Sequence, residues 1–281
     1  MANTIDLHIH TTASDGSDSP RQLLEGLQNS GITTFSVTDH DTISSALSME
    51  ALVPAGMRYI RGIEFSCITE AGKCHILGYN YDPADPVFQA ALAEGRELRM
   101  QNLVKRIAFV ESTLDIRLTE EEHARLNSLE SPGKPHLAQI LLDRGFGSTI
   151  DQAIQEYINP CKISRERINA ETAVKAILHA GGIPVWAHPL GGEGETRISQ
   201  EQFHQQLALL MGYGLQGLEC FYSRYSQEEE DFLAGNAQAE GLLLSGGSDY
   251  HGSVKSDLPL GRLRDDDARI PSERLTILNQ F

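Results

Sequence analysis

The chain has 281 residues, of which 40% are hydrophobic and 22% charged, and this balance excludes a disordered or fibrous protein. A formal net charge of −16 disfavours long duplex DNA as a partner, because proteins that neutralise many phosphates are usually basic. No apolar run approaches the roughly 18 residues of a membrane helix, and the first residues lack a signal-peptide pattern. Four cysteines without a C-x-x-C pair fit a reducing compartment, so we expect a cytoplasmic protein with no membrane partner.

Strands and helices alternate through the first part of the chain. Residues 5–10 alternate apolar and polar side chains, which predicts a strand with one polar face. A serine, a proline and a glutamine within residues 19–22 form the capping-box pattern of a helix start, and Gly31 marks its end. The expected elements that follow are a strand over 34–38, a helix over 43–52, and strands over 58–65 and 74–79.

Residues 83–168 break this rhythm and predict a helical insertion, or cap, in a domain formed by residues 1–82 and 169–281. The insertion carries 11 of the 23 basic residues of the chain but only 13 of its 39 acidic ones. This fits a cap that meets an anion, and the alternative is an ordinary solvated helical face. The expected elements after it are a helix over 169–180, a strand over 183–187, a helix over 199–211, a strand over 215–221, a helix over 226–240 and a strand over 242–245.

About seven strands separated mostly by helices predict an α/β fold with a mostly parallel sheet, closed or nearly closed into a barrel. Histidines and carboxylates fall at the expected carboxyl ends of these strands, where barrel enzymes assemble their sites. His75 is the exception, because it stands early in its strand, and that strand could run differently. The candidate residues are His8, His10, Asp15, His40, Glu64, His75, His188, Asp249 and His251.

Imidazole and carboxylate groups together are the usual ligands of Zn, Mn and Fe. The spacing of His8 and His10 on a strand places both rings on one side, as two ligands of one ion require. Six histidines and three carboxylates are too many for a single ion, whereas two or three ions that share a carboxylate would use them all. We expect Asp39 to orient His40 rather than to bind an ion. Three other histidines on expected helices are interpreted as ordinary structural residues: His123, His179 and His204.

Five motifs resemble those of the PHP (polymerase and histidinol phosphatase) superfamily. They are Asp6–Thr11, Thr38–Asp41, Gly62–Ser66, Ala187–Pro189 and Gly247–Gly252. Two further segments, Gly133–Leu137 and Phe221–Ser226, resemble one bacterial subgroup, the nucleoside 3′,5′-bisphosphate phosphatases and the related exoribonuclease RNase AM. The resemblance implies a distorted (β/α)7 barrel and a trinuclear metal site, with Mn as the leading ion and Fe, Zn or Mg as alternatives.

The resemblance also implies a ligand set and a reaction. One ion would be held by His8, His10, Glu64 and Asp249, a second by Glu64, His75 and His188, and a third by Asp15, His40 and His251. The implied enzyme removes the 3′-phosphate of a nucleoside 3′,5′-bisphosphate and leaves a nucleoside 5′-monophosphate, with a metal-bridging hydroxide and no side chain as the nucleophile. The alternatives are 5′→3′ cleavage of short RNA, histidinol phosphatase activity and, as a non-enzyme, a metal-stabilised binding module.

Substrate contacts are expected from the cap and from one strand end. Arginine suits bidentate recognition of phosphate, and residues three apart share a helix face. The candidates are Arg99, Asn102, Lys134, His136 and Arg224. For each of them an ordinary surface role is the alternative.

Overall fold

The computed structural model describes residues 4–164, 167–192, 197–264 and 268–281. Its strands are β1 (Ile5–Asp6), β2 (Thr34–Val37), β3 (Arg58–Ile68), β4 (Lys73–Tyr79), β5 (Ile168–Asn169), β6 (Ile183–Ala187), β7 (Gly217–Tyr222), β8 (Leu243–Gly247), β9 (Arg262–Leu263) and β10 (Ala268–Arg269). In the part of the chain that is described, the main sheet has the order β1-β2-β3-β4-β6-β7-β8, and β5 pairs with β3.

Nine α-helices accompany this sheet within the described ranges. They are α1 (Pro20–Asn29), α2 (Ser44–Glu50), α3 (Pro86–Thr113), α4 (Glu120–Asn127), α5 (Lys134–Asp143), α6 (Ile150–Ala153), α7 (Ala170–His179), α8 (Gln200–Tyr213) and α9 (Gln227–Ala239). A π-helical turn, Ile154–Ile158, follows α6 directly. None of these helices combines the length and apolar character required to cross a membrane.

The first and last strands of the main sheet meet and nearly close it into a barrel. The backbone N–H of Leu7 donates to the carbonyl of Gly246 at 3.3 Å, and the N–H of Asp249 donates to the carbonyl of His8 at 2.9 Å. A parallel bridge between Ile9 and Tyr250 continues this seam. The predicted fold class, an α/β barrel, is confirmed.

Strand β4 runs antiparallel to both of its neighbours, β3 and β6. Residues 69–72 join β3 to β4 in a tight hairpin, in which the N–H of Thr69 donates to the carbonyl of Gly72 at 2.8 Å. So short a connection permits only an antiparallel pair, because a parallel crossover needs about a dozen residues or more. The start of β4, with His75, therefore lies at the same edge as the carboxyl ends of the parallel strands.

Two strand boundaries differ from the sequence prediction. The regular part of β1 ends at Asp6 rather than at residue 10. The residues that follow lie between the end of β2 and the loop after β8, and the carbonyl of Ile9 accepts from the N–H of Thr38 at 2.8 Å. Strand β3 continues to Ile68, because its hairpin with β4 extends beyond the neighbouring strands. Glu64 consequently lies inside β3 rather than at its end.

The helix starts follow the capping chemistry of the sequence. Ser19 and Ser226 each accept a hydrogen bond from the backbone three residues later, and each forms a complete capping box. Such caps satisfy N–H groups that otherwise lack an intrahelical partner. The predicted starts of α1 and α9 are confirmed.

The apolar core has separate parts in the barrel and in the helical segment. Leu103, Leu126, Leu137 and Ile158 belong to a buried cluster formed within residues 103–158. The first turns of α3, however, pack with the barrel core through side chains such as Phe88. The division at residue 83 therefore remains a proposal, and residues 165–166 of the expected insertion lie outside the described residues.

Candidate metal centre

All nine candidate ligands meet at the edge of the barrel where the parallel strands end. Eight of them are buried, and His75 is partly exposed. Their buried positions exclude a simple solvated surface role, because buried charged groups are stable only when they are paired or bind metal.

Glu64 is the centre of the cluster. Its Oε1 lies 2.9 Å from Nδ1 of His75 and 3.1 Å from Nε2 of His188. Its Oε2 lies 3.0 Å from Nδ1 of His40, and 3.2 and 3.3 Å from the Nε2 atoms of His10 and His8. One carboxylate thus touches five imidazoles from four different segments, which is the position of a bridging group.

Three overlapping groups of side chains have ligand atoms within 4.8 Å of one another. They are His8, His10 and Asp249; His40, Glu64 and His75; and His10, Asp15, His40 and His251. The first group contains three of the four ligands that the family resemblance assigned to one ion, and the third group contains all three ligands assigned to another. In the second group His40 stands beside Glu64 and His75. His188 contacts the same oxygen of Glu64 as His75 does, and its Nε2 lies 3.1 Å from Nδ1 of His75.

The donor atoms have the arrangement that a cation would satisfy. Oε2 of Glu64, Oδ1 of Asp15 and Nδ1 of His40 are buried and have no hydrogen-bond partner among the described residues. The Nε2 atoms of His8 and His10 face each other at 3.2 Å. Buried polar atoms without a hydrogen-bond partner are costly, and a bound divalent ion would remove that cost. The residues present therefore fit a divalent metal site.

The carboxylates of the cluster are held in their ionised form. Burial by itself would raise the pKa of Glu64, but His40, His75 and His8 together hold that pKa well below its usual range. Burial would also raise the pKa of Asp249, but the charges of Lys255 and His251 outweigh burial and hold that pKa well below its usual value. Ionised carboxylates are the form that binds cations.

The histidines divide into two classes. Burial lowers the pKa of His40 and of His251, so both rings are neutral at pH 7. For His10 burial acts in the same direction, but hydrogen bonds to Asp249 and Glu64 outweigh it and raise the pKa to about 9. Ion binding by His10 at neutral pH therefore displaces a proton.

Strained backbone positions direct two of these side chains into the site. His188 has φ 30° and Asp249 has φ 57°, in a region that residues other than glycine rarely adopt. Each conformation is held by a hydrogen bond, from the N–H of His188 to Oε2 of Glu219 at 2.7 Å and from the N–H of Asp249 to the carbonyl of His8. Such strain is typical of functional sites.

Two further buried carboxylates, which were not among the predicted site residues, accept hydrogen bonds from the ligand cluster or from residues beside it. Glu219 accepts from Nδ1 of His8 at 2.8 Å and from the N–H of His188. Asp6 accepts from the backbone N–H groups of Ser248 and Gly261, at 2.9 and 2.8 Å. Two features of the sequence could have indicated these roles. Glu219 is an acidic residue inside an otherwise apolar strand, and Asp6 lies on the same strand face as His8.

Asp39 does not contact the ring that it was expected to orient. Its carboxylate accepts hydrogen bonds from the N–H and hydroxyl of Thr11 and from the hydroxyl of Ser14, each at 2.7 Å. The Ser14 hydroxyl lies 3.4 Å from Nδ1 of His10. The loop after β1 folds over Asp39, so this carboxylate supports His10 instead of His40.

The candidate substrate residues occupy different positions. Arg99, Asn102 and Lys134 line the cavity of about 430 Å³ that contains the cluster, here named the cluster cavity. His136 accepts from the N–H of Gly133 at 2.9 Å and caps α5. Arg224 pairs with Asp257, which itself lines the cluster cavity.

Arg99 also connects the helical segment to the barrel. Its Nε donates to Oδ2 of Asp41, and its Nη2 donates to the hydroxyl of Ser66 at 2.7 Å. The three histidines interpreted as structural lie elsewhere: His123 pairs with Glu111, His179 pairs with Asp85, and His204 packs its ring against Phe203 and Phe232.

The PHP domain family profile matches residues 6–165, which include the first six candidate ligands. This is more than half of the chain. The chain belongs to the PHP domain family. The family predicted from the motifs is confirmed, and so is the enzyme class, a metal-dependent phosphoesterase.

Characterised relatives of this PHP protein have different names. A 3′,5′-nucleoside bisphosphate phosphatase of Chromobacterium violaceum is 28% identical over 269 residues, 94% of this chain and 93% of the relative. A 5′-3′ exoribonuclease of Haemophilus influenzae is 29% identical over 89% of this chain and 91% of the relative. A phosphoribosyl 1,2-cyclic phosphate 1,2-diphosphodiesterase of Eggerthella lenta is 29% identical over 88% of this chain and 94% of the relative.

Solved structures agree with the fold over almost the whole chain. A metal-dependent phosphoesterase from Bifidobacterium adolescentis superposes with a TM-score of 0.81 at 27% identity, covering 95% of this chain and 94% of that one. A Chromobacterium violaceum protein described as an amidohydrolase, with bound sulfate, has a TM-score of 0.83 at 25% identity, covering 99% and 95%. The three relatives named above are called a phosphatase, an exoribonuclease and a diphosphodiesterase, so their printed activities differ.

Replacing Glu219 by glutamine should weaken metal binding by about 10–100-fold. A glutamine at this position has one oxygen acceptor, so it can accept either from the N–H of His188 or from Nδ1 of His8, but not from both through separate oxygens. Without an acceptor at Nδ1, His8 is no longer held in the tautomer that leaves Nε2 free to bind an ion. Isothermal titration with Mn²⁺ measures the change. The control is Glu201→Gln at an exposed position, and equal affinities for the two variants would contradict the prediction.

Removing divalent ions with a chelator should abolish hydrolysis and leave the PHP protein folded. The apolar cores of the barrel and of the helical segment are built from side chains outside the cluster. Restoring an ion at about 100 times its Kd should add about 2.7 kcal/mol to the free energy of unfolding. Near-UV circular dichroism and thermal melts with and without Mn²⁺ check this. Unfolding upon chelation would instead indicate a structural metal.

Proposed function

We propose that this PHP protein is a phosphatase that removes the 3′-phosphate of nucleoside 3′,5′-bisphosphates and yields nucleoside 5′-monophosphates. The observation that carries the proposal is a set of five cationic side chains that line the cluster cavity beside the ligand cluster: Arg99, Arg106, Lys134, Arg167 and Lys255. Two of them pair with buried carboxylates, Arg99 with Asp41 and Lys255 with Asp249, and Asp151 and Asp257 also line the cavity. A single phosphate would be fully engaged by the cluster, whereas the additional cations suit a second phosphate on the same small molecule.

The cluster residues would hold two or three divalent ions, and Mn²⁺ is our first choice for loading. Sets of imidazole and carboxylate ligands accept Mn, Fe and Zn, and Mg is the remaining alternative. Bound ions would supply Lewis acidity to the phosphoryl group and lower the pKa of water. No cysteine or serine nucleophile is needed for this reaction.

Side chains of the helical segment would position the substrate. Arg99 lies half-buried between Asp41 and Ser66, so its guanidinium is fixed in orientation before a ligand arrives. Lys134 is oriented by Asn159, to which its Nζ donates at 2.7 Å. Fixed cations lose little side-chain entropy when they bind phosphate, which favours recognition of a small, highly charged nucleotide.

The second candidate is 5′→3′ cleavage of short RNA. A separate cationic cavity adjoins the cluster cavity and shares His75, Lys134 and His188 with it. A substrate longer than one nucleotide would need such additional space. The relative of Haemophilus influenzae, named an exoribonuclease, supports this candidate.

The test is phosphate release by the Mn²⁺-loaded protein from adenosine 3′,5′-bisphosphate. AMP, histidinol phosphate and a short 5′-phosphorylated RNA are compared at equal concentration. We expect rapid conversion of the bisphosphate to AMP and little release from AMP itself, because AMP lacks the second phosphate. Preferred hydrolysis of histidinol phosphate, or equal hydrolysis of AMP, would overturn the proposal.

A further inference from the structure

The two carboxylate oxygens of Asp249 have different surroundings. Oδ1 lies 3.2 Å from Nε2 of His10 and 3.5 Å from Nε2 of His8, so it belongs to the ligand cluster. Oδ2 accepts hydrogen bonds from Nζ of Lys255 at 2.9 Å and from the hydroxyl of Tyr222 at 3.2 Å. One oxygen is therefore directed at the other candidate ligands, and the second is held by two donors that do not belong to the ligand set.

These two donors differ in burial and in their freedom to move. Tyr222 ends β7, is fully buried and has its ring centroid 5.5 Å from that of His188. Lys255 ends a short 3-10 turn after β8, and its side chain is 20% exposed. A lysine side chain is a flexible four-carbon stem, so its ammonium can change partners without movement of the backbone. If the ammonium moves away, Oδ2 keeps the hydrogen bond from Tyr222.

Lys255 also lines the cluster cavity, together with Arg99 and Lys134, which we propose to position the substrate. Its ammonium therefore lies between a buried carboxylate and the cavity that would receive a phosphate group. The carboxylate of Asp249 is only 5% exposed, so its attraction for the ammonium is weakly screened by water. The strength of this ion pair depends on how much negative charge Asp249 keeps.

The charge of Asp249 changes when its Oδ1 binds a cation. A divalent ion more than cancels the single negative charge of a carboxylate, so the ammonium of Lys255 would no longer be attracted to the pair. A phosphate group in the same cavity carries up to two negative charges and offers several strong acceptor oxygens. Lys255 would then have a better partner in the phosphate than in Asp249.

We propose that Lys255 is a phosphate-binding residue controlled by the metal centre, which pairs with Asp249 and transfers to the substrate phosphate when a divalent ion compensates that carboxylate. This goes beyond the proposed function, because it depends on the metal centre and holds for any phosphate group that enters the cluster cavity. Lys255 competes with the ion for Asp249 and attracts phosphate to the same cavity. Metal and phosphate should therefore bind cooperatively, and each should strengthen the binding of the other by the same factor.

The experiment is a pair of calorimetric titrations on the full-length protein and on Lys255→Met, which removes the charge and keeps an unbranched side chain. Mn²⁺ is titrated first without phosphate, and inorganic phosphate is then titrated into the Mn²⁺-loaded protein. We expect the variant to bind Mn²⁺ about tenfold more tightly, the effect of removing a nearby like charge in largely aqueous surroundings. We expect it to bind phosphate about tenfold more weakly, because a charge-assisted hydrogen bond is lost.

Two further variants separate charge from position. Lys255→Arg keeps the positive charge and should leave the Mn²⁺ affinity within about threefold of the wild-type value. Lys105→Met is the matched control, since it removes one positive charge at an exposed position outside the cluster cavity. It should leave the affinities for Mn²⁺ and for phosphate within about twofold, because solvent and salt screen a distant surface charge.

Opposite changes in the two affinities are the signature of this exchange, because damage to the structure around Asp249 would weaken the binding of both ligands. Changes of the same sign in Lys255→Met, or an affinity that the substitution leaves unchanged, overturn the inference. A wild-type protein that binds no Mn²⁺ overturns it as well. Failure to hydrolyse adenosine 3′,5′-bisphosphate, with both titrations as expected, overturns the proposed nucleotide substrate and keeps the role of Lys255.

Discussion

Glu64→Gln should lower kcat/KM for phosphoester hydrolysis by about a thousandfold and deplete the protein of bound metal. The two oxygens of Glu64 contact five histidines at 2.9 to 3.3 Å, so each of the three expected ligand sets includes a histidine that contacts this carboxylate. The amide has nearly the same shape, but it loses the negative charge and replaces one acceptor with a donor. The substitution should therefore reduce metal binding more than it reduces the folding stability of the protein.

Metal content by elemental analysis and phosphate release would be measured on the same samples. Glu50→Gln is the control, since Glu50 forms an exposed ion pair with Arg61 that contributes about 0–1 kcal/mol. A Glu64→Gln variant with full metal content and at least a tenth of the wild-type activity would disprove the central role of this carboxylate.

Gly247→Ala should destabilise the protein by about 2–4 kcal/mol and disturb the ligand cluster. A Cβ atom at Gly247 would lie 2.2 Å from Cβ of His8 and 2.5 Å from its backbone nitrogen. The clash involves backbone at the seam where β8 meets the segment after β1, so no side-chain rotation relieves it. Displacement of His8 would also weaken ion binding.

Gly235→Ala provides a control with the opposite expected sign. This glycine lies within α9, and an added Cβ there would meet nothing within 4 Å. Alanine should stabilise the helix by about 0.5–1 kcal/mol. Denaturant unfolding of both variants measures the difference, and a Gly247→Ala protein as stable as the wild type would refute the close approach of the two segments.

Local chemistry in the sequence predicted the elements and most of the candidate site. Capping boxes located the starts of α1 and α9, because they satisfy backbone groups within a few residues. The His8–His10 spacing predicted two rings on one side, and their Nε2 atoms lie 3.2 Å apart. The positions of ligands after strands indicated a common edge, since parallel strands end together in a barrel.

Only the tertiary structure decided which distant groups meet. Glu219 is 211 residues from His8 in the chain, and no local pattern specifies that contact. Likewise, the pairing of Arg224 with Asp257 joins the segments after β7 and β8, and the place of Arg99 between Asp41 and Ser66 depends on how the helical segment packs on the barrel. The sequence alone determined the nine candidate ligands, because ligand type and strand position are local properties, but it did not indicate a supporting carboxylate such as Glu219. The structure decided their partners and orientation, because these arise from packing between remote segments.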